Sequence, residues 1–451
     1  MKNKFNRLSL AVAIAATAFA SQAHAGGYQI NEQSVSGQGY GHAGRSSNVN
    51  DATIVFGNPA GMSFLDRAQV TAGGTYLHVN SDIDNASATR SVGGGPEMPI
   101  DGSSEGDMVP GTLVPFAFYA HPVNERLAFG FGVYAPFGSK TDYEDGFIGR
   151  NLGSYTELTV ISAQPTVSYR FNEQWSVGAG ITYNRVEGEL HRQVPTPTFG
   201  AVGMTEAGPI IGVTGTQELD ARIQGDDDGW GYNLGVIFQP APETTLGLTY
   251  RSKVSYTLTG DYRSRDANGD IYVNPLTGER QDKSAKLDLD TPETVNFSVT
   301  QQMTDRLKLM AGASWTRWNR FNEILVTDPS GDEITFEEQD YSNAWAYSLG
   351  GEYQLNPQLA LRAGITLDFT PTSDEFRSAR IPSDDRRIFS VGAGWTPVDN
   401  LTVDLAYSYL TERSTRVDQE RQDADGLITS TYTADYKNEA HGFGAQLTYR
   451  F

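Results

Sequence analysis

An alternation of apolar and polar side chains with a period of two residues is the feature that most restricts how this chain can fold. It is clearest over residues 440–451. The apolar positions there are Phe443, Ala445, Leu447, Tyr449 and Phe451. Small or polar residues stand between them, and the same pattern recurs at 359–369 and 401–409. Such alternation predicts strands with one apolar and one polar face.

The connections between these segments differ in length in a regular way. Short turns such as 171–174 and 355–358 alternate with long polar segments such as 80–110 and 190–218. Outer-membrane barrels have short periplasmic turns and long external loops, whereas a soluble β-sandwich has no reason to sort its loops. We therefore predict an all-β fold, a 14-stranded antiparallel transmembrane β-barrel over residues 66–451. Its strands begin near Arg67, Thr112, Arg126, Ser154, Gln174, Glu218, Glu243, Ala285, Arg306, Tyr341, Gln358, Arg386, Asn400 and Ala440.

The first residues predict export from the cytoplasm. Three cations precede an apolar run over residues 8–20, and the small-residue pattern Ala23-His24-Ala25 follows it. The run is shorter than the roughly 20 apolar residues that a membrane-spanning helix needs. Residues 1–25 are therefore predicted to be a signal peptide. Together with the barrel pattern, this predicts a location in the bacterial outer membrane.

The composition excludes several classes of protein. The formal net charge is −21, which argues against a nucleic acid partner because phosphate binding needs Lys and Arg. No cysteine is present, so a disulfide-stapled fold is excluded. The run Asp226-Asp227-Asp228 suggests a Ca²⁺ site, but the usual spacing to a closing Glu is missing. We therefore favour the interpretation that these residues are solvated charges at the outer rim of the barrel. No nucleotide-binding loop is found, and we expect neither a metal nor a cofactor.

Residues 26–65, called the hatch below, have neither helical nor strand periodicity. They are rich in Gly, Ser, Asn and Gln, a composition typical of compact irregular structure. Because such a segment needs a surface to pack against, we predict that the hatch lies inside the barrel as a plug. A plug of this size argues against a TonB-dependent receptor, whose barrel has 22 strands.

Several of these features resemble one known family. They are Gly27-Tyr28-Gln29-Ile30-Asn31-Glu32, Asn58-Pro59-Ala60-Gly61-Met62, the fourteen strands and the terminal Phe451. Together they resemble the FadL family of outer-membrane transporters of long-chain fatty acids and hydrocarbons. Phe451 also resembles the C-terminal signature that the outer-membrane assembly machinery recognises. The resemblance implies capture of a hydrophobic molecule at the external loops, transfer to a pocket beside the hatch, and lateral exit through the barrel wall.

The resemblance further implies that the third strand carries this exit. In that strand Pro136 cannot donate to the ladder, and Gly138 permits a kink of the backbone. The alternative is an ordinary strand end, with Gly138 starting the external loop. Asn58, Pro59 and Ala60 are expected to form a fixed turn that anchors the hatch beside the gap.

The external segment 194–217 is unusually apolar for a loop. It contains Phe199, Met204, Ile210 and Ile211. Exposed apolar patches commonly mark binding grooves, so we predict that these residues capture the substrate. Packing of the segment against the barrel mouth is the alternative, and both are compatible. Tyr28 is expected to line the deeper pocket.

The head-group site is expected from the family, whose fatty-acid transporters use cationic side chains from two strands. Arg192, at the end of the fifth strand, lies close to one matching position. On the ninth strand the matching position falls near Leu325, and alternation turns Trp318 and Arg320 inward as substitutes. These residues leave open whether the substrate is a fatty acid or a neutral or aromatic hydrocarbon.

The expected function is passive uptake of hydrophobic compounds, above all long-chain fatty acids, by a monomer. Its surroundings would be outer-membrane lipid and lipopolysaccharide. A general diffusion porin and a surface adhesin are the alternatives from other classes. We expect no enzyme, because the histidines after the leader show no recognisable spacing to a nucleophile. They are His42, His78, His121, His191 and His441.

Overall fold

The structure is a computed structural model that describes residues 27–205, 208–423 and 426–451. The signal peptide predicted for residues 1–25 and the first hatch residue, Gly26, lie outside the described residues. At Met204 and Ile211 only the backbone is described. Within these ranges, no helix combines the length and the apolar character that crossing a membrane requires.

The described residues form twenty strands, two short α-helices and two 3₁₀ turns. The first ten strands are β1 (Gln69–Val92), β2 (Met98–Pro99), β3 (Thr112–Pro122), β4 (Leu127–Asp142), β5 (Tyr155–Arg170), β6 (Trp175–Thr205), β7 (Gly208–Ala241), β8 (Thr244–Arg251), β9 (Val254–Arg265) and β10 (Asp282–Thr291). The others are β11 (Thr294–Gln302), β12 (Leu307–Thr316), β13 (Glu323–Thr327), β14 (Glu333–Glu338), β15 (Ala344–Asn356), β16 (Leu359–Asp368), β17 (Arg386–Val398), β18 (Leu401–Glu412), β19 (Thr415–Gln422) and β20 (Ile428–Arg450). The helical elements are α1 (Val35–Gly39), α2 (Ile54–Gly57), η1 (Pro59–Phe64) and η2 (Trp318–Arg320).

The strands close into a barrel. Neighbouring strands pair antiparallel, and β20 returns to pair with β1 along its whole length. β8 and β9 are two pieces of one wall strand because both pair with β7, and β10 and β11 are two pieces of the next. The wall strands are β1, β3, β4, β5, β6, β7, β8–β9, β10–β11, β12, β15, β16, β17, β18 and β20, which confirms the 14-stranded barrel.

The two faces of the wall have the polarity of a membrane barrel. On β20 the apolar Phe443 and Leu447 are 54% and 53% exposed, whereas the polar Gln446 and Thr448 are 2% and 0% exposed. A soluble sandwich would bury its apolar face and leave the polar face in water. Here the apolar face is directed outward, where lipid would cover it, and the polar face is directed into the lumen.

Above the wall, two strands are longer than predicted. Residues 190–218, which we expected to form an external loop, continue β6 and β7 as a two-stranded ribbon that pairs as far as Thr205 and Gly208. This ribbon has no lipid-facing side, so its sequence lacks the alternation that marks the wall. For the same reason β20 begins at Ile428 rather than at the predicted Ala440.

The described part of the hatch, residues 27–65, contacts inward-facing groups on widely separated wall strands. The N–H of Val35 donates to Gln446 Oε1 on β20 at 3.0 Å. Ser46 Oγ donates to the Gly247 carbonyl on β8 at 2.9 Å. Gly247 lets the chains approach this closely, because a Cβ at that position would overlap the Ser46 backbone.

Candidate functional site

The wall is interrupted between β3 and β4. These strands pair only from Pro122 and Ala128 up to Ala117 and Val133. Beyond that point β3 pairs with β1 alone, and the register between β4 and β5 shifts between Tyr134 and Phe137. The residues inside the shift are Ala135 and Pro136. Because proline has no N–H to donate, it belongs at bulges and edges of sheets, and here it stands at the gap.

The N-terminus of the hatch pairs with the strand at this gap. The N–H of Ile30 donates to the Pro136 carbonyl at 2.9 Å, and the N–H of Gly138 donates to the Tyr28 carbonyl at 2.8 Å. In an unbroken ladder these backbone groups of β4 would pair with a neighbouring wall strand. The bulge therefore directs them to the hatch instead. The Ile30 side chain, 4% exposed, packs against Val114 and Ala135 and fills the gap from inside.

An aromatic cluster surrounds Tyr28, which is 1% exposed. Its ring centroid lies 4.7 Å from that of Trp318, 5.3 Å from that of Phe321 and 5.9 Å from that of Phe137. Among the described residues, the Tyr28 hydroxyl makes one hydrogen bond, a long one of 3.4 Å to the Asp290 carbonyl. Edge-to-face contacts of this kind hold the ring in place without a strong polar bond.

An apolar cavity lies next to this cluster and shares Phe321 with it. Its apolar lining consists of Leu158, Leu190, Ile223, Leu258, Ala285, Leu287, Leu289, Phe321, Ile324, Val326 and Ile381. Toward the outside, a much larger vestibule of about 2920 Å³ is lined partly by the β6–β7 ribbon, including Pro195 and Phe199. A smaller space, the junction, shares Ile324 and Arg380 with the cavity and Arg192 with the vestibule.

Three arginines meet at this junction. Arg380 Nε lies 3.1 Å from Glu337 Oε2, and Arg421 Nη1 lies 3.7 Å from the same oxygen. The guanidinium of Arg192 is close enough to those of Arg421 and Arg380 to be repelled by both. Burial lowers the pKa of Arg421, which lies above the wall; Glu337 opposes this shift and Arg380 adds to it.

The junction therefore carries three cations and the carboxylate of Glu337, and a second carboxylate, Glu333, is close enough to oppose the lowering of the Arg421 pKa. Arg380 and Glu337 are largely buried, with side chains 6% and 11% exposed. Cations in such surroundings are normally paired with anions. The excess positive charge, at the mouth of an apolar cavity, suits a ligand with an anionic head and an apolar tail.

A family model described as "Outer membrane protein transport protein (OMPP1/FadL/TodX)" matches residues 16–451. This chain belongs to the FadL family. Outer membrane protein P1 of Haemophilus influenzae is 30% identical over 99% of this chain and 100% of its own length. The long-chain fatty acid transport protein of Escherichia coli K12 is 26% identical, covering 100% of this chain and 99% of its own.

Solved structures agree with the FadL-family fold. A Pseudomonas aeruginosa FadL homologue superposes with a TM-score of 0.82 at 26% identity, over 94% of this chain and 100% of its own. The Pseudomonas putida toluene transporter TodX has a TM-score of 0.60 at 16% identity, over 92% of this chain and 99% of its own, which supports the fold alone. The protein is thus an outer-membrane transporter of hydrophobic compounds, and its family consists of transporters rather than enzymes.

The structure of this FadL-family chain places several of the predicted site residues beside these spaces or beside Tyr28. Arg192 lies at the junction, Phe199 lines the vestibule, and Trp318 packs against Tyr28. Ile210 is 49% exposed near the tip of the ribbon, which also includes the backbone of Met204 and Ile211.

Arg320 does not follow the prediction. It binds Glu293, with 2.8 Å between Nη2 and Oε1, and does not line the apolar cavity. The expected alternation fails because β12 ends at Thr316 and the 3₁₀ turn η2 follows. This turn directs Trp318 into the barrel and leaves Arg320 beside Glu293.

The turn Asn58-Pro59-Ala60 fixes the hatch to a different part of the wall from the gap. Asn58 Nδ2 donates to the Val236 carbonyl on β7 at 3.0 Å, and Ser176 Oγ on β6 donates to the Ala60 carbonyl at 2.8 Å. Asn58 Oδ1 also accepts the N–H of Ala60, which begins η1. The hatch is thus held firmly at β6 and β7, while its N-terminus reaches β4.

Sequence reasoning missed Arg380, Arg421 and Glu337. They come from three external segments that are far apart in sequence, and no local pattern links them. The one local signal is that Arg380 stands between Ala379 and Ile381 in an otherwise polar segment. The acidic run at 226–228 also has partners within the chain, because Arg185 Nη2 lies 2.7 Å from an oxygen of Asp226.

Proposed function

We propose that this protein takes up long-chain fatty acids by passive movement from the vestibule to the gap between β3 and β4. The observation that carries the proposal is the excess of arginine over carboxylate at the mouth of the apolar cavity. Guanidinium groups bind carboxylates through charge-assisted hydrogen bonds, often in pairs. The fatty acid head would bind at Arg192, Arg380 and Arg421, with its tail in the cavity.

Burial of the tail supplies the driving force for this step. Each methylene that leaves water contributes roughly 0.8 kcal/mol, so a long chain is collected without an energy source. A neutral hydrocarbon would gain the same apolar term. It would leave the excess arginine charge uncompensated, which is the physical basis for preferring an acid.

The exit requires movement of the hatch N-terminus. Tyr28 separates the cavity from the gap, and Ile30 fills the gap itself. In the proposed mechanism the substrate displaces residues 27–31, which breaks the two backbone bonds to β4. The substrate then passes between β3 and β4 into the lipid, while the anchor at Asn58 keeps the rest of the hatch in place.

Uptake of labelled oleate and of a labelled neutral hydrocarbon by a deletion strain tests the proposal. We expect Arg421→Met to lower oleate uptake about tenfold or more, the effect of losing a charge-assisted hydrogen bond. Hydrocarbon uptake should not change. Arg416→Met is the matched control, because Arg416 lies on the same strand but is 56% exposed and pairs with Asp435. Equal effects of the two variants on oleate uptake would refute the head-group site.

The second candidate is uptake of neutral or aromatic hydrocarbons, which the apolar lining of the cavity also suits. It would be favoured if hydrocarbon uptake depended on the protein while oleate uptake did not. Membership of a family of hydrophobic-compound transporters does not support the alternative that the protein is a general diffusion porin. Ion conductance through the reconstituted protein is the measurement that tests this alternative.

A further inference from the structure

Two guanidinium groups lie over the ring of Phe56 in the hatch. The Cζ atom of Arg251 is 4.5 Å from the ring centroid, and the Cζ atom of Arg45 is 5.9 Å from it. Arg45 belongs to the hatch, whereas Arg251 ends β8 and faces the lumen. Attraction between a cation and an aromatic face strengthens when water is excluded. The three residues, called the Phe56 stack below, therefore join the hatch to the wall.

On the hatch side, the stack holds the N-terminal segment. Arg45 Nη1 donates to Asn31 Oδ1 at 2.9 Å, and Nη2 donates to the Asn31 carbonyl at 3.2 Å. Asn31 directly follows Ile30, the residue that fills the wall gap. Any movement of the N-terminal segment out of the gap must therefore break both bonds from Arg45.

On the wall side, the stack holds the strand at the gap. Arg251 Nη1 donates to the Tyr134 hydroxyl at 2.6 Å, and its Cζ lies 5.4 Å from the Tyr134 ring centroid. Phe56 itself contacts Tyr134 edge-to-face, with 4.9 Å between centroids. Tyr134 is the last β4 residue before the register shift. The stack thus ends at the residue where β4 turns away from β3.

The two arginines depend on this arrangement because they bind neutral acceptors. Among the described residues, Arg251 donates to Tyr134, Gln164 and the Phe56 carbonyl, and Arg45 donates to Asn31. No carboxylate lies within ion-pair distance of either guanidinium in that part of the chain. Glu32 and Asp368 attract Arg45 from beyond ion-pair distance. Arg251 is thus the cation whose close partners there are all neutral, and a buried cation without an anion is costly to hold. Loss of the Asn31 bonds should therefore disturb the whole stack.

We propose that the Phe56 stack couples the position of the hatch N-terminus to the opening of the wall between β3 and β4. Displacement of Asn31 releases Arg45, which loosens Phe56 and Arg251 and lets Tyr134 move away from β3. Arg45, Phe56 and Arg251 are positioning residues that do not touch the substrate. The proposal rests on the lateral exit proposed above.

Thiol labelling at the gap tests this coupling. The chain contains no cysteine, so Ala135→Cys introduces a single reporter at a residue that is 4% exposed and packs against Ile30. The rate of labelling by a small thiol reagent is measured in outer-membrane vesicles, with and without oleate. The test variant is Phe56→Leu. Its matched control is Phe64→Leu, because Phe64 lies under the Arg170 guanidinium at 4.3 Å but does not contact Asn31 or Tyr134.

We expect oleate to accelerate labelling in the parent and in Phe64→Leu. Without oleate, Phe56→Leu should be labelled at least about fivefold faster than the control, a factor typical of coupled sites. Addition of oleate should not raise the labelling rate of Phe56→Leu any further. Equal ligand-free rates in the two variants would overturn the proposal. The proposal would also be overturned if Phe56→Leu were labelled fast without oleate and oleate raised its rate by the same factor as in the parent. The stack would then stabilise the hatch without coupling it to the gap.

Two controls cover the cases in which a variant does not fold or oleate has no effect. Heat-dependent gel migration shows whether each barrel has folded; if Phe56→Leu does not fold, Arg251→Lys and Arg170→Lys form a second matched pair with the same expected contrast. If oleate fails to change labelling even in the parent, the lateral exit is refuted. The ligand-free comparison of the variants still decides whether the stack controls the gap.

Discussion

The N–H of Ile30 donates a 2.9 Å hydrogen bond to the carbonyl of Pro136. This bond joins the first residues of the hatch to the bulged strand of the wall, where β3 and β4 have ceased to pair. The gap is thus closed by a segment that the wall does not contain. In the proposed mechanism, movement of residues 27–31 opens the gap without unfolding of any wall strand.

Replacement of Ile30 should make the gap leaky. Ile30→Ala removes the side chain that packs against Val114 and Ala135, so we expect faster labelling of Ala135→Cys without substrate. Tyr40→Ala is the control, because Tyr40 is also buried in the hatch, at 4% exposure, but packs with Ala43 and Met310 in a separate cluster. Each substitution costs roughly 2–5 kcal/mol of packing. A similar labelling rate in both variants would show that Ile30 does not close the gap.

The Tyr28 ring should contribute far more to oleate binding than its hydroxyl group. The hydroxyl makes only one long bond, whereas the ring has three aromatic neighbours. We expect Tyr28→Phe to keep oleate affinity within about twofold, and Tyr28→Ala to lower it about tenfold or more through loss of aromatic contacts and apolar surface. Fluorescent fatty-acid binding to the purified protein measures this. A large defect in Tyr28→Phe would point instead to a polar role.

Arg320 should be dispensable for uptake, in contrast to Arg421. It pairs with Glu293, which would still be held at 3.0 Å by Arg317 after the substitution Arg320→Met. We therefore expect oleate uptake within about twofold of the parent, because Glu293 stays paired and neither residue lines the apolar cavity. Western blotting of outer membranes controls for protein amount. A defect as large as that of Arg421→Met would mean that Arg320 does bind the substrate.

Acid should weaken the hatch through His42. Burial, and after it the charge of Arg45, holds the pKa of His42 well below its usual range. Below about pH 6.5 the unfolded segment binds a proton that the folded hatch excludes, so stability falls as the pH falls. The loss is at most about 1.4 kcal/mol per pH unit for one proton.

His42→Asn removes this titration and keeps a residue that tolerates the positive φ of 57°. Burial raises the pKa of Glu32, which lines an internal space that His42 and Arg45 line as well. Because Glu32 is present in both proteins, the difference between their stabilities isolates His42. Hydrogen exchange of hatch amides at pH 7.5 and 5.5 measures the two stabilities. An equal loss in both proteins would exclude His42 as the cause.

A part of the fold could be predicted from the sequence where its surroundings impose a regular pattern on the residues. Lipid imposes alternation on the wall, so strands such as 359–368 and 401–412 were recognisable. No membrane acts on the β6–β7 ribbon, and its pairing was missed. Arg192 lay near a family position, whereas Arg380 and Arg421 reach the same junction from distant segments through tertiary packing alone. Arg320 was misplaced because a single 3₁₀ turn ends the alternation.

The most direct test of a fatty-acid substrate is the affinity of the purified protein for oleate and for oleyl alcohol. The two ligands share one apolar chain and differ in the charge of the head. Excess arginine at the junction predicts that oleate binds at least about tenfold more tightly, and that Arg421→Met narrows this ratio. Equal affinity for the two ligands in the unmodified protein would contradict the proposed function.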